Sequence, residues 1–147
     1  MTWQELLAAG RVARESTARS EILELKLLTE RYLGDARLTA LSDDGRFDRA
    51  YGAARTLSVM VIRSEGYRVK SAAGSHQATF LALDAADTAA FSAFASFFNR
   101  CRAKRNELSY EHAGIISLAE VEDLLGRVEE FGRVVTAWIS SRHPDLV

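Results

Sequence analysis

Apolar residues recur at helical spacing through most of this chain, broken by short polar and glycine-bearing stretches, and that period predicts a succession of helices. Thr2-Trp3-Gln4-Glu5 has the form of a capping box opening a short first helix, with Trp3, Leu6 and Leu7 on its apolar edge and Gly10 near its end. A second helix is expected from Ser16 or Ser20 to about Ala40, with Ile22, Leu25, Leu28, Tyr32 and Ala36 on one face. Gly34 costs such a helix about 1 kcal/mol relative to alanine, which suggests close packing against a neighbour. Ser42-Asp43-Asp44-Gly45 reads as a turn. It leads into a third helix from about Arg46 to Glu65, with Phe47, Tyr51, Ala54, Leu57 and Val61 buried and Gly66 as its stop. The small residues Ala50, Gly52 and Ala53 favour close helix contact there.

Tyr67 to Gly74 reads as the longest irregular segment; its Arg68 and Lys70 could contact an anion or simply line a solvated loop. Ser75 is expected to cap a short helix through Leu83, and Asp84 or Asp87 to cap a longer, phenylalanine-rich one that ends before Gly114. Ser117-Leu118-Ala119-Glu120 is a second capping box. The last helix it opens places Leu118, Val121, Leu125, Val128, Phe131, Val135 and Trp138 on one face, and His143-Pro144 marks its exit. No segment sustains the alternation of a strand. The predicted architecture is a single all-α domain over 1–147, a bundle of five or six helices.

The phenylalanine-rich helix contains a conflict. On a step of about 100° per residue, Phe91, Phe94, Phe97, Phe98, Cys101 and Leu108 share one stripe, while Arg100, Lys104, Glu107 and Glu111 lie opposite. Arg105 and His112 follow Phe98 at successive intervals of seven, so a guanidinium and an imidazole fall on the apolar side. A buried charge is costly unless it is paired. A partner group, a wet cleft or a subunit interface is expected to meet them.

Composition narrows the classes. The chain has 147 residues, nearly half of them apolar, enough for a real core. Its net charge of −1 argues against wholesale coating of nucleic acid, though a local basic patch is compatible with it. The single cysteine, Cys101, cannot form an internal disulfide, and its place on the phenylalanine stripe favours a buried thiol over a nucleophile. No apolar run reaches the ~20 residues of a membrane span, and the first residues lack a signal-peptide pattern. A cytoplasmic protein with no membrane contact is expected. There is no glycine-rich phosphate loop and no paired Cys/His zinc spacing. The three histidines include no pair four residues apart, so neither a metal nor another cofactor is expected. His76 and His143 read as surface or packing residues.

The segment Arg105-Asn106-Glu107-Leu108-Ser109-Tyr110-Glu111-His112 resembles the signature of the HEPN superfamily of small helical bundles. That signature is an arginine, often followed by a polar residue, with four to six residues between it and a histidine, late in the penultimate long helix; His112 fits only the longest of these gaps. The upstream stretches Tyr32-Leu33-Gly34-Asp35-Ala36 and Phe47 to Ala54 fit the same pattern, and His76 matches a histidine of some relatives. Active HEPN members cleave RNA without a metal, the motif meeting its copy across a homodimer. The resemblance implies that Arg105 binds and polarises phosphate, that His112 is the acid/base and that Asn106 orients one of them. Arg102, one turn before the motif, and Ser109, within it, are expected as further binding residues. A guanidinium suits the first role through paired hydrogen bonds to phosphate, and an imidazole near neutral pKa suits the second.

At the commoner, tighter spacing the histidine position is occupied by Tyr110, whose free pKa near 10 makes it a poor base at neutral pH. Two function classes therefore stand. One is an endoribonuclease of toxin–antitoxin or defence type, acting on RNA and accompanied by a partner nucleotidyltransferase or antitoxin. The other is a non-catalytic HEPN-like dimer that binds a nucleotide, an RNA or a partner protein. A purely structural alternative pairs Arg105 with a carboxylate such as Asp35 or Asp48, while Tyr110 and His112 finish a helix.

Overall fold

The computed structural model describes residues 1–110 and 114–147, with Ser109 and Tyr110 described by their backbone alone. The elements in chain order are α1 (Trp3–Ala8), β1 (Val12–Arg14), α2 (Arg19–Ala36), α3 (Asp43–Ser64), β2 (Tyr67–Val69), α4 (Ser75–Ala86), α5 (Thr88–Tyr110) and α6 (Leu118–Arg142), followed by a 3₁₀ turn at Pro144–Leu146. The all-α bundle stands, with one small addition. β1 and β2 pair antiparallel, Val12 opposite Val69 and Arg14 opposite Tyr67, so the start of the supposed irregular segment is a strand. Three-residue strands are too short to show alternation, and their partners lie far apart in sequence. Trp3 stacks on Tyr67 with ring centroids 4.0 Å apart and fixes α1 over this ribbon.

α3 is the axis of the molecule, packed by α2, α4, α5 and α6. Small residues make that possible: Ala50, Ala53, Ala54 and Ser58 are wholly buried and let neighbouring helices approach. Its buried hydroxyls donate one turn back, Thr56 to the Gly52 carbonyl, Ser58 to that of Ala54 and Ser64 to that of Met60. None of the three thus leaves an unpaired donor in the core. Phe131 of α6 meets three rings of α5, Phe91 at 5.9 Å, Phe94 at 4.9 Å and Phe98 at 5.1 Å between centroids. Asp87 ties the start of α5 to the end of α6: one carboxylate oxygen accepts from the Ala90 amide and the other from the Trp138 indole.

Several boundaries and faces differ from the pattern reading. α2 ends at Ala36 rather than near Ala40, because the buried Arg46 donates its Nε to the Ala36 carbonyl at 2.8 Å and closes the helix from outside. Ser42 is the N-cap of α3, its hydroxyl accepting from the Gly45 amide, so the expected turn is the helix's first turn. Gly74, at φ +80°, precedes α4 where Ser75 was expected as cap, and the helix continues to Ala86. Phe94 and Phe97 are half-buried, whereas Phe91 and Phe98 are fully enclosed. Leu28 and Leu118 are exposed; Thr29, one position from Leu28 on α2, and Leu124, one position from the predicted Leu125 on α6, take buried places.

Gly34 does not make the close contact expected of it; a Cβ there would meet nothing within 4 Å. That contact belongs to Gly52, where a Cβ would sit 2.9 Å from the Tyr32 ring. The two glycines should therefore respond oppositely to alanine. Gly34→Ala should stabilise the fold by roughly 0.5–1 kcal/mol through helix propensity. Gly52→Ala should cost about 1–3 kcal/mol by forcing the tyrosine out of place. Urea midpoints of the two variants check this, and equal signs would contradict the α2–α3 packing.

Candidate functional site

Asp48, Tyr51 and Arg55 stand at i, i+3 and i+7 on α3 and so share one face. Arg105 of α5 reaches that face. Its Nε donates to Asp48 Oδ1 at 2.6 Å, and its guanidinium lies 5.3 Å from the centre of the Tyr51 ring. The tyrosine ring is buried, and its hydroxyl is 3.0 Å from Nδ1 of His76 in the first turn of α4. Arg102, one turn before Arg105, is held by its Nε donating to Asn99 Oδ1 at 2.8 Å. Three helices thus bring three guanidiniums, a phenol, an imidazole and one carboxylate to one place.

Burial pushes the Tyr51 hydroxyl up to about 12, against the opposing pull of Arg105, Arg55 and Arg102. It therefore stays a donor at neutral pH. Burial also lowers the pKa of His76, and the positive fields of Arg55, Arg105 and Arg102 lower it further. A neutral imidazole that accepts from Tyr51 at Nδ1 carries its proton on Nε2. The arrangement combines a positive surface suited to an anion with an uncharged imidazole able to exchange a proton.

Of the residues singled out in the sequence, Arg105 and Arg102 belong to this cluster, and Asp48 is the carboxylate that meets Arg105. Asn106 is exposed on α5. Ser109 and Tyr110 close the last turn of α5, with their side chains outside the described residues, and His112 lies outside them altogether. The expected stripe of Phe98, Arg105 and His112 can therefore be followed only to Arg105. The sequence pattern marks Tyr51 as core and does not single out Arg55, although Asp48, Tyr51 and Arg55 share one helical face by spacing. His76 packs partly buried against Tyr51, as expected of a packing residue, and that contact places it in the cluster. His143 is structural: its Nε2 lies 2.7 Å from Glu65 Oε2, beside Arg142 on the same carboxylate.

Cys101 is buried, and burial pushes its thiol up to about 12, which leaves negligible thiolate for nucleophilic work. Among the described residues no group of three His, Cys, Asp or Glu side chains could hold a metal ion, and no helix is long and apolar enough to cross a membrane. A groove of about 520 Å³ between α2, α3 and α6 lies away from the cluster and carries charges of both signs, such as Lys26, Glu30, Arg133 and Glu129. Comparison with known protein families, with curated proteins and with solved structures yields no match.

Proposed function

We propose that the chain is a HEPN-like endoribonuclease that cleaves single-stranded RNA without a metal, with Arg105 on the phosphate. The observation that carries this reading is the packing of Arg105 on Tyr51, whose hydroxyl is 3.0 Å from His76. A phosphate-binding cation and a neutral imidazole thereby belong to one cluster. In the reaction the ribose 2′-oxygen gives up its proton to a base and bonds to the adjacent phosphorus. The bond to the 5′-oxygen breaks, that oxygen takes a proton, and a 2′,3′-cyclic phosphate remains. Arginines stabilise the charge that grows on the phosphoryl oxygens. Proton transfer falls to an imidazole, His112 by the resemblance and His76 by its position, with Asn106 and Ser109 as binding residues and Tyr110 as the contender at the tighter spacing. In this reading the protein works as a homodimer, in the cytoplasm, beside a nucleotidyltransferase or antitoxin partner.

One observation favours a second reading. The Arg105–Asp48 pair at 2.6 Å gives the arginine a carboxylate within its own chain, as a non-catalytic HEPN-like dimer that binds a nucleotide, an RNA or a partner protein would have. Incubation of purified protein with end-labelled single-stranded RNA in excess chelator separates the two. Fragments ending in cyclic phosphate are expected. RNA left intact by a folded, homogeneous preparation would overturn the catalytic reading in favour of the binding one.

A further inference from the structure

Arg55 faces a second place besides the Tyr51–His76 cluster. It lines a cavity of about 150 Å³ between α3, β2 and the start of α4, together with Arg68, Lys70, Ser71, Ser75, Thr79 and Arg63, the last already paired with Glu15 and Glu21. No described acidic residue lines that cavity. The nearby Glu15 is shared, at 3.2 Å from Arg63 and 3.5 Å from Arg68. Among the described residues neither Arg55 nor Lys70 enters an ion pair. A further guanidinium comes from Arg11, whose Nη2 donates to the Gly74 carbonyl at 3.4 Å.

This positive charge collects at the N-terminus of α4, a twelve-residue helix that begins without a side-chain cap. Its first amides and its dipole already favour an anion, and cations at that end are disfavoured. Four basic side chains around the positive end of a helix are a local conflict that a bound anion would relieve. The size narrows the ligand. A cavity of about 150 Å³ is well below the roughly 300–1,000 Å³ of pockets that enclose whole small molecules. It suits a phosphate group whose sugar and base remain outside. Ser75 in its wall precedes His76 in the chain, so the cavity adjoins the Arg105 cluster.

We infer that this cavity binds a backbone phosphate of the same RNA strand, an anchoring subsite next to the phosphate held at Arg105; the strand's identity rests on the RNA reading above. Lys70 and Arg68 supply the charge from the β2 side and Arg55 from α3, while the Ser75 hydroxyl and the α4 amides after that of Ser75, which is bonded to the Ala72 carbonyl at 3.1 Å, supply hydrogen bonds.

The test uses the double variant Arg68→Gln, Lys70→Gln, since both side chains are exposed and their loss leaves the core intact. Two probes are used. Binding of a 2′-O-methyl single-stranded 12-mer is followed by anisotropy across a salt series, and inorganic phosphate is titrated while backbone amide signals are recorded. In the wild type, phosphate should shift the amides of Ser75 and His76; in the variant it should not. The variant's slope of log affinity against log salt should fall by roughly 0.7, the loss of one single-strand phosphate contact, with affinity roughly tenfold lower at low salt. Unchanged slope and unchanged shifts in the variant would overturn the subsite. Should the wild type fail to bind the oligomer while the phosphate shifts persist and vanish in the variant, the phosphate site stands and the RNA strand is ruled out as its source.

Discussion

Replacing Arg63 by methionine should cost about 3–5 kcal/mol, the usual consequence of removing one partner from a buried ionic network. The side chain is only 6% exposed. Its Nε donates to Glu21 Oε1 at 2.8 Å, its Nη1 to the carbonyls of Glu15 and Tyr67, and its Nη2 to that of Ser16. One guanidinium therefore fastens the segment before α2, the first turn of α2 and the ribbon strand β2 to the end of α3. Methionine retains much of the apolar stem but none of the donors, leaving three carbonyls and the carboxylates of Glu21 and Glu15 without them. Lysine is no substitute, because three donors on a point charge cannot match a planar fork that reaches several carbonyls. Urea unfolding at neutral pH reads the loss directly; a change below about 1 kcal/mol would mean that water replaces the arginine without penalty.

The same pair gives a pH dependence of known sign. Burial alone would raise the Glu21 carboxyl, but hydrogen bonds from Thr17 and Arg63 and the charge of Arg63 outweigh it and hold its pKa below the ordinary value. A carboxyl with a depressed folded-state pKa stabilises the fold fully above its unfolded pKa, and that contribution fades as the pH falls through the folded one. The gap in stability between wild type and Arg63→Met should therefore narrow on acidification below the ordinary glutamate range. A gap that is constant from neutral to strongly acid solution would show that Glu21 takes no energetic part.

Local signals in the sequence carried much of this fold, and tertiary ones were silent. Both capping boxes, Thr2 with Glu5 and Ser117 with Glu120, form as read, since each needs only residues three apart. Gly66 and Gly114 stand at positive φ after α3 and α5, the conformation in which glycine is least strained. The end of α2 was misjudged because no nearby residue stops it; Arg46, ten residues on, supplies the group that closes it. Arg63 gave no signal either, since a helical arginine reads as solvated until its carbonyl partners are placed. The site follows the same division. Arg105 was conspicuous as a charge on an apolar stripe, and Asp48 was a foreseeable partner. Tyr51 was hidden because its ring belongs to the core while its hydroxyl belongs to the cluster, two roles that one pattern position cannot express. His76 entered only when α4 was docked beside α3.

Arg105→Ala should lower RNA cleavage by roughly 10²–10³-fold, the usual effect of deleting one donor to a developing oxyanion, while leaving the bundle folded. The stability half follows from exposure. The arginine side chain is 32% and the Asp48 side chain 45% exposed, so their ion pair is screened and worth at most about 1 kcal/mol. Arg105→Lys should recover little, because the ammonium keeps the charge and loses the paired hydrogen bonds. The imidazoles can be separated by the same assay. Loss of an acid/base costs roughly 10²–10⁴-fold, so His112→Ala and His76→Gln identify which ring moves the proton, with Tyr110→Phe as the remaining contender. If His76 is the base, its lowered pKa keeps it neutral to more acid pH, and the acid limb of the rate profile should lie below the ordinary histidine value. A cleaving wild type whose Arg105→Ala variant cuts equally fast would remove the arginine from the chemistry. An inactive wild type whose Arg105→Ala variant melts far below it would make the arginine a structural tie between α5 and α3.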